Sequence, residues 1–410
     1  MCRLKYEKKE NVSLKLEADT YYLESIYSDE EMNQKFLQLK ANVCDLNPAL
    51  VTKCITGTEQ DFIMLMDRAA DYVKSRFLDL LEEQKQQLIE MFRECVFGYY
   101  VLTPLIESKE VSDIKVLSFD HIVVKANGER YVADVKFFDE ADYKSWFERI
   151  LRIHRLGRTE EFALGHCTDR KGVKDFYLRI DVQLGCVTST EKNNIHIRKM
   201  PKTKLSWEYL KENQMLDDEM IDYLKNRIGS GYGFLISGRG GSGKSTLLNN
   251  MIDLIPFNQS VLVSQESDEL YSNEHPQIQF EHTLTVRKHD VVTDFSLEDE
   301  LRLGLLQDID NFIIGEIKGG EALYVFTTAM STGARFFGTI HSNDAASSVT
   351  RLAQCARYIS DYPMETLEEM LTCMPFVLIH MSHFSIDEIL EIDGWDHAAK
   401  RLRYKEIYRK

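Results

Sequence analysis

Apolar residues between Asp61 and Cys95 recur about every three to four positions, the period of a helix with one buried face. Residues 1–100 as a whole are rich in Glu, Lys, Gln, Leu and Met and hold hardly any glycine, so a helical N-terminal region is expected. Gln84, Lys85, Gln86 and Gln87 make a polar face beside Leu81, Leu88, Ile89 and Phe92, which suits a bundle helix better than a docking element. From residue 101 the pattern shortens to alternation. Asp113–Val116, His121–Val124 and Tyr131–Val135 read as strands, with Asn127-Gly128 as a turn between two of them. A helix over Tyr143–Arg155 and strands over Phe176–Ile180 and Asn194–Ile197 complete a small α+β domain over residues 101–201. Residues 202–232 read as a linker with a helix, Glu219–Ile228, closed by Gly229-Ser230-Gly231. Over 233–410, strands Phe234–Ser237, Val261–Ser264, Phe312–Ile314 and Phe336–Ile340 alternate with helical stretches, the pattern of an α/β fold with a parallel sheet.

Gly238-Arg-Gly-Gly-Ser-Gly-Lys-Ser245 is a P-loop. Its context matches the motif's mechanics, because an apolar strand runs in and Thr246, Leu247, Leu248, Met251, Ile252 and Ile255 follow at helical spacing. Gly238, Gly240, Gly241, Ser242, Gly243, Lys244, Ser245 and Thr246 are the expected nucleotide contacts. Backbone amides at the helix's positive end meet phosphate oxygens, Lys244 reaches the β and γ phosphates, and Ser245 is a ligand for Mg2+. ATP and Mg2+ are the cofactors this loop implies.

Length and charge narrow the setting. With 410 residues and 44% apolar content, the chain holds two or three cored domains of roughly 100 to 200 residues each. The longest apolar runs, such as Phe376–Met381, fall far short of the ~18 residues that span a bilayer, so no transmembrane segment is expected. The first ten residues carry charge and no apolar core, so no secretory signal is expected and the site of action is read as cytoplasmic. Eight cysteines form no Cys-x-x-Cys pair, which argues against a zinc knuckle and for reduced thiols. A formal charge of −16 repels nucleic acid, which is not expected as a direct ligand.

Three further segments end strands at the edge where parallel sheets build sites. Gln265-Glu-Ser-Asp-Glu-Leu270 offers Glu266 and Glu269, and Asn311-Phe-Ile-Ile-Gly-Glu316 ends in a single carboxylate. Glu316 is the candidate to orient the attacking water and to hold Mg2+ through its hydration shell. Phe336-Phe-Gly-Thr-Ile-His341 brings His341 to the same edge, where it can contact the γ-phosphate.

These blocks in this order resemble the ATPase superfamily of type II and type IV secretion and type IV pilus motors, most closely its tight-adherence-pilus and VirB11-like branch. Val111–Val116, Leu156-Gly-Arg158, Arg179-Ile-Asp and Ile195–Lys199 resemble segments of that branch's N-terminal domain; Ile314–Ala322 and Thr332–Asn343 resemble its Walker B and histidine boxes. The resemblance covers about residues 105 to 355. It implies a RecA-like ATPase domain, a homo-oligomeric ring, usually a hexamer, and arginines Arg158, Arg179 and Arg198 delivered to the nucleotide. It also implies an integral membrane platform protein of a pilus or secretion system as partner, met peripherally at the inner face of the cell membrane. Gln265 stands where a glutamate is usual, unless the alignment shifts by one residue and puts Glu266 there; Lys318 replaces an arginine and loses its bidentate fork, and Ala334 replaces a histidine. Arg302 lies one turn before the segment 305–308, which lacks the arginines often found there.

The expected function is therefore an ATP-hydrolysing ring motor for pilus assembly or secretion. Its rivals are a nucleic-acid translocase of a conjugative system, a kinase, and an ATP-binding switch with little turnover.

Overall fold

Asn127 and Gly128 have φ of 49° and 88°, the left-handed values of a two-residue type I′ turn, and Ala126 pairs with Glu129 across it. That hairpin belongs to a sheet in which alternate residues are buried in an apolar core. In this computed structural model the described residues are 18–23, 26–27, 29–45, 48–56, 59–157, 159, 163–288 and 291–410. Two compact units divide at residue 202: Met1–Lys202 and Thr203–Lys410. The first ten residues and Arg158 lie outside the described residues.

The first unit holds strands β1 (Thr20–Tyr21), β2 (Val111–Ser118), β3 (His121–Ala126), β4 (Glu129–Ala133), β5 (Leu164–Asp169), β6 (Phe176–Gln183) and β7 (Asn194–Pro201). They form one sheet in the order β1-β4-β3-β2-β7-β6-β5. Helices α1 (Glu30–Lys40), α2 (Pro48–Thr56), α3 (Glu59–Arg76), α4 (Glu82–Phe97), α5 (Thr103–Glu107) and α6 (Glu140–Ile153) accompany it. Ile122 and Val124 of β3, Leu178 and Ile180 of β6 and Ile195 and Ile197 of β7 alternate into a core shared with Phe36, Leu88 and Phe92. Helical region and sheet, read separately along the sequence, thus share one interior. Leu88 and Phe92 are buried as the helical period expects, whereas Leu81 precedes α4 as its N-cap and is exposed. Arg149 of α6 joins the layers by donating to the carbonyls of Val96 at 3.0 Å and Gly98 at 2.8 Å, the unpaired end of α4.

The second unit begins with α7 (Trp207–Glu212) and α8 (Asp218–Gly229). Then come β8 (Gly233–Gly238), α9 (Lys244–Ile252), β9 (Val261–Gln265), β10 (Ile278–His282), β11 (Leu284–Lys288), β12 (Val291–Phe295) and α10 (Leu297–Gly304). The chain continues through β13 (Asn311–Ile317), α11 (Ala322–Ser331), β14 (Arg335–Ile340), α12 (Ala345–Ala356), α13 (Met364–Met370), β15 (Phe376–Ser382), β16 (Ser385–Asp396) and β17 (Arg401–Arg409). Eight of these strands make one sheet, β10-β9-β13-β14-β8-β15-β16-β17, and β11 and β12 form a separate ribbon. The six strands from β10 to β15 are parallel; β16 and β17 add on antiparallel.

Alternate residues of the central strands feed two cores. Phe234, Ile236, Val261, Val263, Ile313 and Phe337 pack with Met220, Leu224, Leu247 and Met251 on one face. Leu235, Leu262, Phe312, Ile314 and Phe336 pack with Leu301, Val325, Phe326, Val349 and Leu352 on the other. Helices on both faces explain why β8 is buried along its whole length and reads as a continuous apolar run. The sequence reading contained four of the eight strands in this sheet. Phe376–Met381, an apolar run in the sequence, is the strand beside the P-loop strand.

Candidate nucleotide-binding site

The P-loop backbone is left-handed at three glycines: Gly238 (φ 147°), Gly241 (φ 78°) and Gly243 (φ 97°). At Gly238 a side chain would also sit 2.2 Å from the carbonyl oxygen of Met381, so β15 packs against the loop only because Cβ is missing. Gly243 is the N-cap of α9, and no side chain among the described residues caps it. The first-turn amides of α9 are therefore free for an anion, with the helix dipole behind them. Ser242 Oγ is buried with no hydrogen-bond partner among the described residues. An orphaned hydroxyl beside uncapped amides fits a phosphate group.

Lys244 is buried, and its Nζ donates to the carbonyls of Gly238 at 3.0 Å and Arg239 at 2.9 Å. Burial lowers its pKa, opposed by the charges of Glu316 and Glu269. Ser245 and Thr246 follow, half-buried, in the first turn of α9.

Glu316 is aimed by a bulge. The register of β13 on β14 shifts between Ile314 and Ile317, so Gly315 and Glu316 leave the regular ladder. Thr339 Oγ1 donates to the Gly315 carbonyl at 2.6 Å and holds the bulge. A Cβ at Gly315 would come within 3.0 Å of Gln265 Cβ, so glycine lets the ends of β13 and β9 approach. Glu316 Oε1 lies 2.7 Å from His341 Nε2, and its Oε2 lies 3.1 Å from Lys318 Nζ. Burial raises the Glu316 pKa, but Lys318, His341 and Lys244 outweigh it and hold the carboxyl below the usual range.

Lys318 Nζ also lies 2.6 Å from Glu266 Oε2, so one ammonium spans two carboxylates from different strand ends. Burial lowers its pKa and the two carboxylates more than reverse this. The turn that presents it is closed by Glu321 Oε1, which accepts from the amides of Lys318 at 2.5 Å and Gly319 at 2.8 Å. Lys318, noted in the sequence only as a lost arginine, is the link between the acidic loop and Glu316.

Gln265 has a structural task that a glutamate cannot share. Its Oε1 accepts from Leu270 N at 2.9 Å and its Nε2 donates to Leu270 O at 3.1 Å, closing the acidic loop as a ring. Asn249 of α9 reinforces it, accepting from Tyr271 N at 3.0 Å and donating to the Glu269 carbonyl at 3.4 Å. Glu266 is exposed and Glu269 half-buried on that loop. Among the described residues no group of three or more His, Cys, Asp or Glu side chains is placed to hold a metal ion, so a Mg2+ bound through Ser245 and Glu316 would need phosphate or water oxygens as well.

Residues 175–366 match the family described as type II/IV secretion system protein. That segment is what the chain shares with the type II/IV secretion family. A putative conjugal transfer protein of Mycobacterium tuberculosis is 22% identical over 290 residues, 70% of this chain and 80% of its own length. The type IV pilus retractation ATPase PilT of Pseudomonas aeruginosa is 32% identical over 122 residues, 29% of this chain and 33% of its own. The type IV secretion system protein VirB11 of Brucella suis is 23% identical over 193 residues, 45% and 52% respectively. Among solved structures, the Legionella pneumophila ATPase DotB aligns with a TM-score of 0.49 and 18% identity, covering 76% of this chain and 79% of that one.

The type II/IV secretion segment includes the P-loop, Glu266, Glu269, Glu316, Lys318 and His341, and also Arg179 and Arg198. The last two are cross-strand partners on β6 and β7 of the first unit. Arg198 Nε donates to Asp113 Oδ1 at 3.0 Å, and Arg179 Nε lies 3.5 Å from Asp181 Oδ1. His196 joins Arg198 on Asp113 at 3.0 Å; burial raises that carboxyl's pKa, and these partners with Ser112 bring it well below the usual range. Arg302, one turn before the segment that lacks the usual arginines, faces the Tyr324 hydroxyl at 3.4 Å.

Proposed function

We propose that this chain is a ring-forming ATPase that hydrolyses ATP with Mg2+ and drives a pilus or secretion machine of the tight-adherence-pilus or VirB11-like kind. The observation that carries the reading is Glu316, held ionised by Lys318 and His341 at the sheet edge that also bears the Lys244 loop. ATP supplies the phosphoryl group and Mg2+ the charge that screens it. Amides from Gly240 to Thr246 and the Lys244 ammonium grip phosphate oxygens, and Ser245 offers its hydroxyl to the metal. Glu316 accepts a hydrogen bond from the attacking water and orients it, with Glu266 and Glu269 as supporting carboxylates. His341, which lies between Glu316 and the P-loop carbonyl of Gly238, is proposed to register loss of the γ-phosphate.

Arg158, Arg179 and Arg198 are proposed to offset the charge of the transferring group, which is worth several powers of ten in rate where such arginines act. A homohexamer, a cytoplasmic position peripheral to the membrane and an integral membrane platform protein as partner belong to the same reading. Among the described residues no helix is long and apolar enough to cross a membrane, which suits a partner that supplies the anchor. The test compares ATP hydrolysis by the full chain with that of Lys244→Ala and Glu316→Gln, and its mass with and without nucleotide. Wild-type hydrolysis lost in both variants, with a ring-sized mass, supports the proposal; a monomer without turnover sinks it.

A second reading, DNA transfer in conjugation, draws on the putative conjugal transfer relative that aligns over 70% of this chain. The net charge of −16 weighs against it. DNA-stimulated, salt-sensitive hydrolysis would favour it.

A further inference from the structure

The P-loop has two chemically opposite flanks within the second unit. At the ends of β9, β13 and β14 stand Glu266, Glu269, Glu316 and His341, all polar. On the β15 side the side chains that rest on Gly243 are apolar. A Cβ at Gly243 would meet Met215 Cε at 2.7 Å and Phe384 Cδ2 at 3.0 Å, so both side chains rest directly on the loop. Met215 is fully buried, whereas Phe384 is half-buried.

Phe384 reaches this place through an unfavourable turn. Ser382 pairs with Ser385, leaving His383 and Phe384 as a two-residue hairpin loop with φ of 47° and 62°. Glycine and asparagine suit such turns; a bulky aromatic residue in this region is an outlier, and outliers of this kind persist where the surroundings hold them and gather at ligand sites. The surroundings do hold it. Ile386 N donates to Met215 O at 2.9 Å, Lys410 Nζ donates to Ser385 Oγ at 3.0 Å, and Lys410 N donates to Asp387 O at 2.8 Å.

We infer that Phe384, backed by Met215, receives the base of the bound nucleotide. The inference rests on the nucleotide reading above and adds the direction in which the ligand lies. A nucleotide is a polyanion at one end and a flat, largely apolar ring at the other. The polyanion matches the amides, Lys244 and the polar flank; the ring matches an aromatic platform, on which bases stack. Charged carboxylates at the base end would leave that face of the ring without apolar contact, so the asymmetry of the two flanks sets the orientation.

The test measures equilibrium binding of ATP and of inorganic tripolyphosphate, which has no base, to the full chain and to Phe384→Asn and Phe384→Tyr. Asparagine tolerates the left-handed turn and removes the ring. Phe384→Asn is expected to weaken ATP by about tenfold, the lower range of a lost base–aromatic stack, and to leave tripolyphosphate unchanged. Phe384→Tyr is expected to bind both ligands as wild type does. Equal weakening of ATP and tripolyphosphate, or an unchanged ATP affinity in Phe384→Asn, overturns the inference, because the ring then only supports the loop or does nothing. If wild type binds ATP, the nucleotide reading survives that failure; if it binds neither ligand, both fall.

Discussion

His341 Nε2 lies 2.7 Å from Glu316 Oε1 while His341 Nδ1 lies 2.9 Å from the carbonyl oxygen of Gly238. The imidazole ties Glu316 to the first residue of the P-loop. A change in loop position is thereby felt at the carboxylate. On the proposed mechanism Glu316→Gln keeps a hydrogen-bonding group of the same size and removes the charge that orients water. Single-turnover hydrolysis is expected to slow about a hundredfold or more while ATP affinity changes little, the mark of a group that acts in the transition state.

Lys318 spans Glu266 and Glu316 from a half-exposed position, so its ion pairs add at most ~1 kcal/mol to stability. Its effect on rate is expected to be larger, because without it two carboxylates repel and Glu316 loses a fixed direction. Lys318→Met is expected to lower kcat with little change in the urea midpoint, and Lys318→Arg to restore most of the rate. Equal kcat in wild type and Lys318→Met would remove Lys318 from the site.

Gln265 is 2% exposed and uses both ends of its amide on Leu270. Gln265→Glu turns the donor that faces the Leu270 carbonyl into an acceptor, leaving two oxygens opposed in a buried place. A loss of about 1–3 kcal/mol is expected, read from urea unfolding at neutral pH. A glutamate tolerated here without loss would mean that the loop closes by other contacts.

Glu300 of α10 is buried and accepts from Ser264 Oγ. Burial pushes its pKa up to about 7; Ser264 opposes the rise, and Glu281 and Asp299 add to it. With a folded pKa above the ordinary 4.5, the folded state holds an extra proton between about pH 4.5 and 7. The stability this gives is present in full below the unfolded pKa and is lost as pH rises through about 7. Glu300→Gln is expected to remove that slope and to exceed wild type in unfolding free energy at pH 8 by on the order of 1–3 kcal/mol, with the gap closing towards pH 5. Urea titrations at the two pH values check the sign.

Local chemistry was legible in the chain. The glycine spacing from Gly238 to Gly243 specifies a left-handed loop whatever surrounds it, and the apolar runs ending in Glu316 and His341 place both at strand ends. The Asn127-Gly128 turn is likewise a property of two adjacent residues. Other features were invisible because they join distant segments. Phe376–Met381 is apolar on both faces, so its period could not mark it as a strand; only its pairing with Phe234–Gly238 does.

The same distinction runs through the candidate site. Glycines, Lys244 and the terminal carboxylates carry their meaning in backbone conformation and charge, which neighbours in sequence determine. That Lys318 meets Glu266 across 52 residues, that Gln265 clasps Leu270 rather than meeting a ligand, and that Phe384 lies on Gly243 depend on which strands stand side by side. The order β9-β13-β14-β8-β15 decided that, because burying two faces of one sheet brings its strand ends together from every part of the second unit.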